Sequence, residues 1–131
     1  MSSNFGSRLT RCGLVSAALA ALAVPVTVVA TAAPAAAAPA PCNSSAPDED
    51  NSSYVNQTAG VSANMRSGSS SSCGIKGWAD NRDRLDYHCY VYVSSTNSTW
   101  TYLRNVTDGT YGWVSDSLLP GGGSSNRCDD F

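Results

Sequence analysis

The stretch "RLDYHCYVYV" (Arg84–Val93) decides the fold class, because its apolar residues recur at every second position. Successive side chains of a β-strand point to opposite sides, so a period of two indicates a strand with one buried face. The pattern predicts one long strand with its two faces clearly separated. The predicted buried face comprises Leu85, Tyr87, Cys89, Val91 and Val93, and the predicted polar face comprises Asp86, His88, Tyr90 and Tyr92.

The segments on either side of this strand also favour β structure. "GVSANMRSG" (60–68) alternates, with Val61, Ala63 and Met65 on one side. "STWTYLRNV" (98–106) and "YGWVS" (111–115) are two further strands, and the Asp-Gly between them predicts a hairpin turn because glycine accepts a positive φ. "LLP" (118–120) is a short last strand. Five short strands, with almost no helix beyond a turn near 115–117, are typical of a small barrel or sandwich.

The beginning of the chain resembles a secretion signal. Arg8 and Arg11 precede an apolar run of small residues, which continues into "PAAAAPAP" with its A-x-A steps. This order predicts a signal peptide cleaved around Ala38, and a membrane anchor is the less favoured alternative because Pro25 interrupts the run. We therefore divide the chain into a signal peptide (1–38), a linker or N-terminal segment (39–58), a barrel (59–120) and a flexible C-terminal tail (121–131). The protein is expected to be secreted or extracellular, and it could be associated with the cell wall.

Four cysteines remain after the predicted signal, and we expect them to form two disulfides, as is usual in small exported domains. Sequence alone leaves three pairings open. Paired C-x-x-C spacing is absent, which argues against zinc. All ten acidic residues and six of the eight basic residues lie beyond the signal, so the remaining charge is about −4. This charge disfavours a nucleic-acid surface, and no basic helix is present to bind a membrane. The four cysteines are Cys42, Cys73, Cys89 and Cys128.

The chain offers few residues for catalysis. It has one histidine, His88, in the middle of the long strand, and its one glutamate, Glu49, lies in the predicted linker. With every remaining cysteine in a disulfide, no thiol is left to act as a nucleophile. Acidic residues at 80, 83 and 86 are expected to be solvated, with a calcium site as the less favoured alternative. The "DED" at 48–50 is likewise expected to be part of a solvated linker. We predict no enzymatic activity, no cofactor and no metal.

Two phrases resemble a known family. "ANMRSGSSSSC" (63–73) and "YGWVSDSLL" (111–119) are similar to the opening and closing signatures of the bacterial SH3-like (SH3b) domain. That family shows an apolar-Asn-apolar-Arg-Ser-Gly-Pro-Ser phrase near its start, and a Gly-Trp-Val followed by a polar turn and an apolar pair near its end. The match spans about residues 60–119, with Ser69 at the usual proline position. The chain resembles a secreted, disulfide-containing, single-domain member of actinobacterial type, which implies a small five-stranded SH3-like barrel with two disulfides.

The resemblance also implies a disulfide pairing. In this fold the first strand leads into a long irregular loop over the barrel, here the serine loop (residues 68–72). A bridge from Cys73 to Cys89 would fasten that loop. The two ends of such a barrel emerge close together, which implies that Cys42 pairs with Cys128.

The function that the resemblance implies is binding of cell-wall (peptidoglycan) peptides by a non-enzymatic module. The groove would lie between the 66–73 loop and nearby aromatic residues, because rigid aromatics beside polar groups suit peptide and sugar ligands. The alternative is a secreted protein–protein interaction or inhibitor module with no affinity for the wall. We expect a monomer whose partner is a wall peptide or another secreted protein. The candidate ligand-binding residues are Arg66, Trp100, Tyr102, Tyr90 and Tyr92, whereas Trp113 is expected to be structural.

Overall fold

A computed structural model describes residues 38–131, together with Val28 and Ala30. The predicted signal peptide lies almost entirely outside the described residues. The described chain is all-β, as predicted. Within that part of the chain, no helix is long and apolar enough to cross a bilayer. The strands are β1 (Val55–Asn56), β2 (Ala63–Arg66), β3 (Ile75–Ala79), β4 (Arg84–Val93), β5 (Ser98–Asn105) and β6 (Tyr111–Ser115), followed by two 3-10 turns at Asp116–Leu118 and Pro120–Gly122.

The strands form one antiparallel sheet in the order β1-β4-β5-β6-β2-β3. β4, β5 and β6 make a meander, and β2 joins it through the pairing of Arg66 with Trp113. β1 and β3 are the two edges of the sheet. The sheet has six strands and is open, so the expected five-stranded barrel is not confirmed.

Two strands were missed by the sequence patterns. The buried positions of β3 are Gly77 and Ala79, whereas the large apolar residues Ile75 and Trp78 are 48% and 51% exposed. Small buried residues beside large exposed ones give no apolar alternation, which explains the miss. β1 is only two residues long and lies in the segment predicted as a linker.

The predicted last strand "LLP" is wrong, because this segment forms 3-10 turns. Proline lacks the N–H that a strand ladder needs, and the glycines at 121–123 all adopt positive φ. The first of these turns, at Asp116–Leu118, lies where a short turn was expected. The Asp-Gly hairpin turn is also present, with Gly109 at φ 80°.

A β-bulge in β4 changes which residues share a face. Tyr87 pairs with Leu103 and Cys89 pairs with Tyr102, so His88 is an extra residue without an opposite partner. One additional residue shifts the alternation, and every later side chain moves to the other face. Leu85 and Tyr87 therefore belong to one core, whereas Cys89 and Val91 belong to another. The prediction of a single buried face along the whole of β4 is wrong beyond His88.

The two cores are formed by side chains from opposite faces of the strands. The first core contains Ala63, Met65, Ala79, Leu85, Tyr87, Leu103, Val114 and Leu119. The second core contains Cys89, Val91, Tyr102 and Trp113 from the strands, with Ala40, Ala46 and Cys128 from outside the sheet. Residues before β1 and after β6 therefore cover the second core.

These covering residues come from the segments predicted as a linker and a flexible tail. Trp113 Nε1 donates to the Ser44 carbonyl at 3.2 Å, and the Glu49 amide donates to the His88 carbonyl at 3.2 Å. In the tail, Cys128 donates its amide to the Tyr90 carbonyl at 2.9 Å. Both segments are thus packed and hydrogen-bonded parts of the folded unit, which differs from the predicted organisation.

The disulfides join Cys42 to Cys73 and Cys89 to Cys128. Two bridges among these four cysteines were expected and are present, but the pairing inferred from the resemblance is wrong. The bulge directs Cys89 into the second core, where the tail lies, rather than toward the serine loop. Two disulfides indicate an oxidising, extracellular environment.

Candidate functional site

The serine loop and the end of the β4–β5 hairpin enclose a groove of about 220 Å³, which we call the serine groove. One side is formed by the loop and Pro39, and the other by Trp100 and the hairpin. Trp100 is half-buried at the rim of the second core, and its Cα is opposite Ser115 in the sheet. The lining residues are Pro39, Ser69, Ser70, Ser71, Val93, Ser95, Thr96, Ser98, Trp100 and Ser115.

The serine loop is held in place at several points. The Ser69 amide donates to the Ala40 carbonyl at 3.0 Å, and the Ser67 amide closes the base of the loop on the Gly74 carbonyl at 2.9 Å. The Cys42–Cys73 disulfide ties the same base to the preceding segment. The long irregular loop that the resemblance implies is therefore a hydrogen-bonded, disulfide-anchored wall of the groove.

Arg66, a candidate ligand-binding residue, makes a contact within the protein. Its Nη1 donates to the Cys73 carbonyl at 2.9 Å, across the base of the serine loop. The side chain thus supports the loop from within and is absent from the lining of the groove. Arg66 as a ligand-binding residue therefore stays a prediction that this internal contact does not support.

A second groove, of about 290 Å³, lies beside the first and shares Ser98 and Ser115 with it. We call it the tyrosine groove, because Tyr92 forms one wall. The Tyr92 hydroxyl donates to Asn97 Oδ1 at 2.8 Å, which fixes the ring at the hairpin end. The other lining residues are Asn97, Thr99 and Ser117.

The remaining candidate aromatics lie away from both grooves. Tyr102 is only 5% exposed and packs on Trp113, with ring centroids 5.1 Å apart. Burial, and to a lesser extent Tyr111, raises the pKa of Tyr102. Tyr90 is half-buried and pairs with Arg127 of the tail. The structure therefore brings Trp100 and Tyr92 to grooves and does not bring Arg66, Tyr90 or Tyr102 there.

The chemical character of the two grooves follows from their linings. Serine and threonine hydroxyls both donate and accept hydrogen bonds, and the aromatic rings of Trp100 and Tyr92 provide flat apolar surface. Neither lining contains a carboxylate, an imidazole or a thiol. These linings can bind a polar, extended ligand, but they offer no general acid, general base or cysteine nucleophile.

Sequence reasoning missed one cluster of polar residues. Asp48, Asp86 and His88 each offer a ligand atom, and these atoms all lie within 4.8 Å of one another. Burial raises the pKa of Asp86 and Asp48 raises it further, whereas His88 and Arg104 act in the opposite direction. Asp86 and His88 are two residues apart on β4, but Asp48 is distant in sequence and belonged to a predicted linker. No sequence motif spans these three residues, so the cluster could not be identified from their spacing.

Asp50, which was expected to be solvated, is buried, and Asp116 is buried as well. Asp50, part of the "DED" segment, accepts hydrogen bonds from Ser124 Oγ at 2.6 Å and from the Ser52 amide at 2.9 Å. Asp116 accepts one from Thr101 Oγ1 at 2.6 Å. Asp50 connects the N-terminal segment to the tail, and Asp116 connects the first 3-10 turn to β5, so their roles are structural.

Comparisons with protein-family models, curated proteins and solved structures find no match to this chain. The resemblance of residues 63–73 and 111–119 to the SH3b family therefore stays a prediction.

Proposed function

We propose that the protein is a secreted, non-enzymatic binding module of the SH3b type that recognises cell-wall (peptidoglycan) peptides. The observation that carries the proposal is that the serine loop and Trp100 line one groove. This is the arrangement that the resemblance implies for the ligand site. The β2–β3 hairpin with its long loop, the β4–β6 meander and the 3-10 turn after β6 also support an SH3-like arrangement.

The size and lining of the serine groove suit an extended peptide. Its volume is below the roughly 300–1,000 Å³ of pockets that enclose small molecules. A ligand would therefore lie across the groove, with its amides on the serine hydroxyls and an apolar part on the Trp100 ring. The adjoining tyrosine groove extends the same surface past Ser98 and Ser115.

Secretion is the second part of the proposal. The disulfides support it, since they form in oxidising compartments, and so does the signal-like composition of residues 1–38. Pro39, which lines the serine groove, would then lie next to the cleavage point at about Ala38. Export would thus place the new amino terminus beside the ligand groove.

Co-sedimentation with purified cell-wall sacculi tests wall binding. We expect the wild-type protein to sediment, and Trp100→Ala to weaken binding by about 2 kcal/mol, or about 30-fold, because an anchoring aromatic is removed from the groove. Trp78→Ala is the matched control, since Trp78 is exposed on the edge strand β3 and lines neither groove. A thermal melt of each variant separates lost binding from lost folding.

The second candidate function is a secreted protein–protein interaction or inhibitor module. The observation that favours it is edge strand β3, where Ile75 and Trp78 are both about half exposed beside unpaired backbone groups. If wild type does not sediment with sacculi, the wall-binding proposal is rejected and this alternative takes its place. If Trp78→Ala reduces sedimentation and Trp100→Ala does not, the groove is not the wall-binding site.

A further inference from the structure

We propose that Asp48, Asp86 and His88 form a binding site for a divalent transition-metal ion, with Zn²⁺ as the expected occupant. The three side chains supply two carboxylates and one imidazole whose ligand atoms lie within 4.8 Å of one another. The site is separate from both grooves, so the inference does not depend on the proposed function.

The backbone brings the three residues together. Asp86 and His88 are two residues apart on β4, so their side chains project from the same face of the strand. The bulge at His88 turns its ring toward Tyr102 and Tyr111, and the ring centroids lie 5.5 Å and 5.9 Å away in edge-on contacts. Asp48 is placed beside them because the next residue, Glu49, donates its amide to the His88 carbonyl.

The environment of His88 points to a missing partner. Its side chain is only 9% exposed, and among the described residues Nδ1 has no hydrogen-bond partner. Nδ1 is fully enclosed, and Nε2 lies 4.0 Å from Asp86 Oδ2, which is too long for a hydrogen bond. A buried imidazole nitrogen without a hydrogen bond costs free energy, so the ring is only weakly held by the protein. Nε2, which faces Asp86, is the nitrogen that would bind the ion.

The charges around the site favour a cation. Asp48 and Asp86 are close enough to repel each other, and Asp50 adds a third carboxylate to the field at Asp86. Arg104 lies opposite Asp86 in the sheet and offsets only one of these charges. A divalent ion would neutralise what remains.

The donor set selects the type of metal. Imidazole suits zinc and its neighbours in the first transition row, whereas Ca²⁺ and Mg²⁺ require more oxygen ligands than this site offers. Ligands of a tetrahedral zinc ion lie roughly 3.4 Å apart, given bonds of about 2.0–2.2 Å. The site must therefore contract slightly on binding, and the exposed side chain of Asp48 is free to rotate inward. Three protein ligands leave a fourth position for water.

The chain has one histidine, so its imidazole can be followed directly by two-dimensional ¹H–¹⁵N NMR of the oxidised full-length protein. We expect Zn²⁺ to shift the ring nitrogens of His88 and to saturate the change at one equivalent. Mg²⁺ at the same concentration should leave them unchanged. Asp86→Asn and Asp48→Asn keep the side-chain shape, and each should weaken Zn²⁺ binding by at least the 10- to 100-fold typical of lost supporting ligands. Asp130→Asn, at an exposed acid of the tail, is the control and should bind like wild type.

Three results would overturn the proposal. The first is the absence of any His88 ring shift at millimolar Zn²⁺, which would show that the cluster binds no ion. The second is an equal Zn²⁺ affinity for Asp86→Asn and Asp130→Asn, which would place the bound ion elsewhere. A Mg²⁺-induced shift as large as that from Zn²⁺ would reject the assignment of a transition metal.

Discussion

Gly68 shows how closely the N-terminal segment lies on the serine loop. A Cβ atom at this position would lie 2.7 Å from the carbonyl carbon of Pro41 and 2.8 Å from the Cα of Cys42. Both are backbone atoms, and the Cys42–Cys73 disulfide prevents the segment from moving aside. The absence of a side chain at residue 68 is therefore required for the loop to be covered.

We expect Gly68→Ala to destabilise the protein by about 1–3 kcal/mol, the usual cost of overpacking. Gly74→Ala, on the other side of the loop, is the control, because a Cβ there would meet no atom within 4 Å. Urea unfolding of the two variants checks the difference. Equal stability would mean that the 39–42 segment does not lie against the loop in solution.

Two buried aspartates should respond oppositely to pH. Burial alone would raise the pKa of Asp50, but hydrogen bonds from Ser124 and Ser52 outweigh it and lower the pKa below 3.8. The stability that this carboxylate contributes is thus present above pH 3.8 and is lost as pH falls through its folded pKa. Burial raises the pKa of Asp116 despite its hydrogen bond from Thr101. Its contribution is largest below pH 3.8 and is lost as pH rises through its folded pKa.

Stability curves of the asparagine variants test these signs. Relative to wild type, Asp50→Asn should be most destabilised at neutral pH, with the deficit shrinking below pH 3.8. The stability of Asp116→Asn relative to wild type should be higher at neutral pH than near pH 3.5, because the variant carries no buried charge. Parallel pH dependence in the two variants would contradict the different environments of the carboxylates.

At the scale of the strands, the sequence predicts the elements with clear apolar alternation. β2, β4, β5 and β6 were expected, and so was the Asp-Gly turn, because their signals are local. β3 was not predicted, because small residues fill its buried positions and leave no apolar alternation. The bulge at His88 could not be read from the pattern, since it arises from the pairing of β4 with β5. In the sequence of β4, the apolar alternation continues past His88 without a break.

The candidate site was predictable to a similar extent. Trp100 and the serine loop were named together, and the structure places them on one groove. Arg66 was assigned to a ligand because no pattern reveals a contact between its guanidinium and a carbonyl group. The Asp48–Asp86–His88 cluster depends on the N-terminal segment lying on β4, which the composition of that segment argued against.

Across the whole molecule, the disulfides attach the two covering segments to the sheet. A small domain gains much of its stability from such bridges, since its hydrophobic cores are limited. The bridges close loops of 31 and 39 residues, and chain entropy gives each a stabilisation of about 4 kcal/mol.

We expect peptide mapping without reduction to recover Cys42 with Cys73 and Cys89 with Cys128. Each paired serine variant should lose about 2–5 kcal/mol of stability. The Cys42→Ser/Cys73→Ser variant should also lose affinity for sacculi, because the serine loop is released. The Cys89→Ser/Cys128→Ser variant is the control for that loss. Equal wall binding by the two would contradict a role for the anchored loop.

The disulfide pairing also determines how the protein responds to a pulling force. A load applied beyond Cys42 and Cys128 passes across both bridges and through the backbone between Cys73 and Cys89. Only about 16 residues can then stretch, which is roughly 55 Å of chain. After reduction the span from Cys42 to Cys128 is about 86 residues, or roughly 300 Å. The oxidised domain can thus lengthen far less than the reduced one, and its redox state controls how far the chain extends.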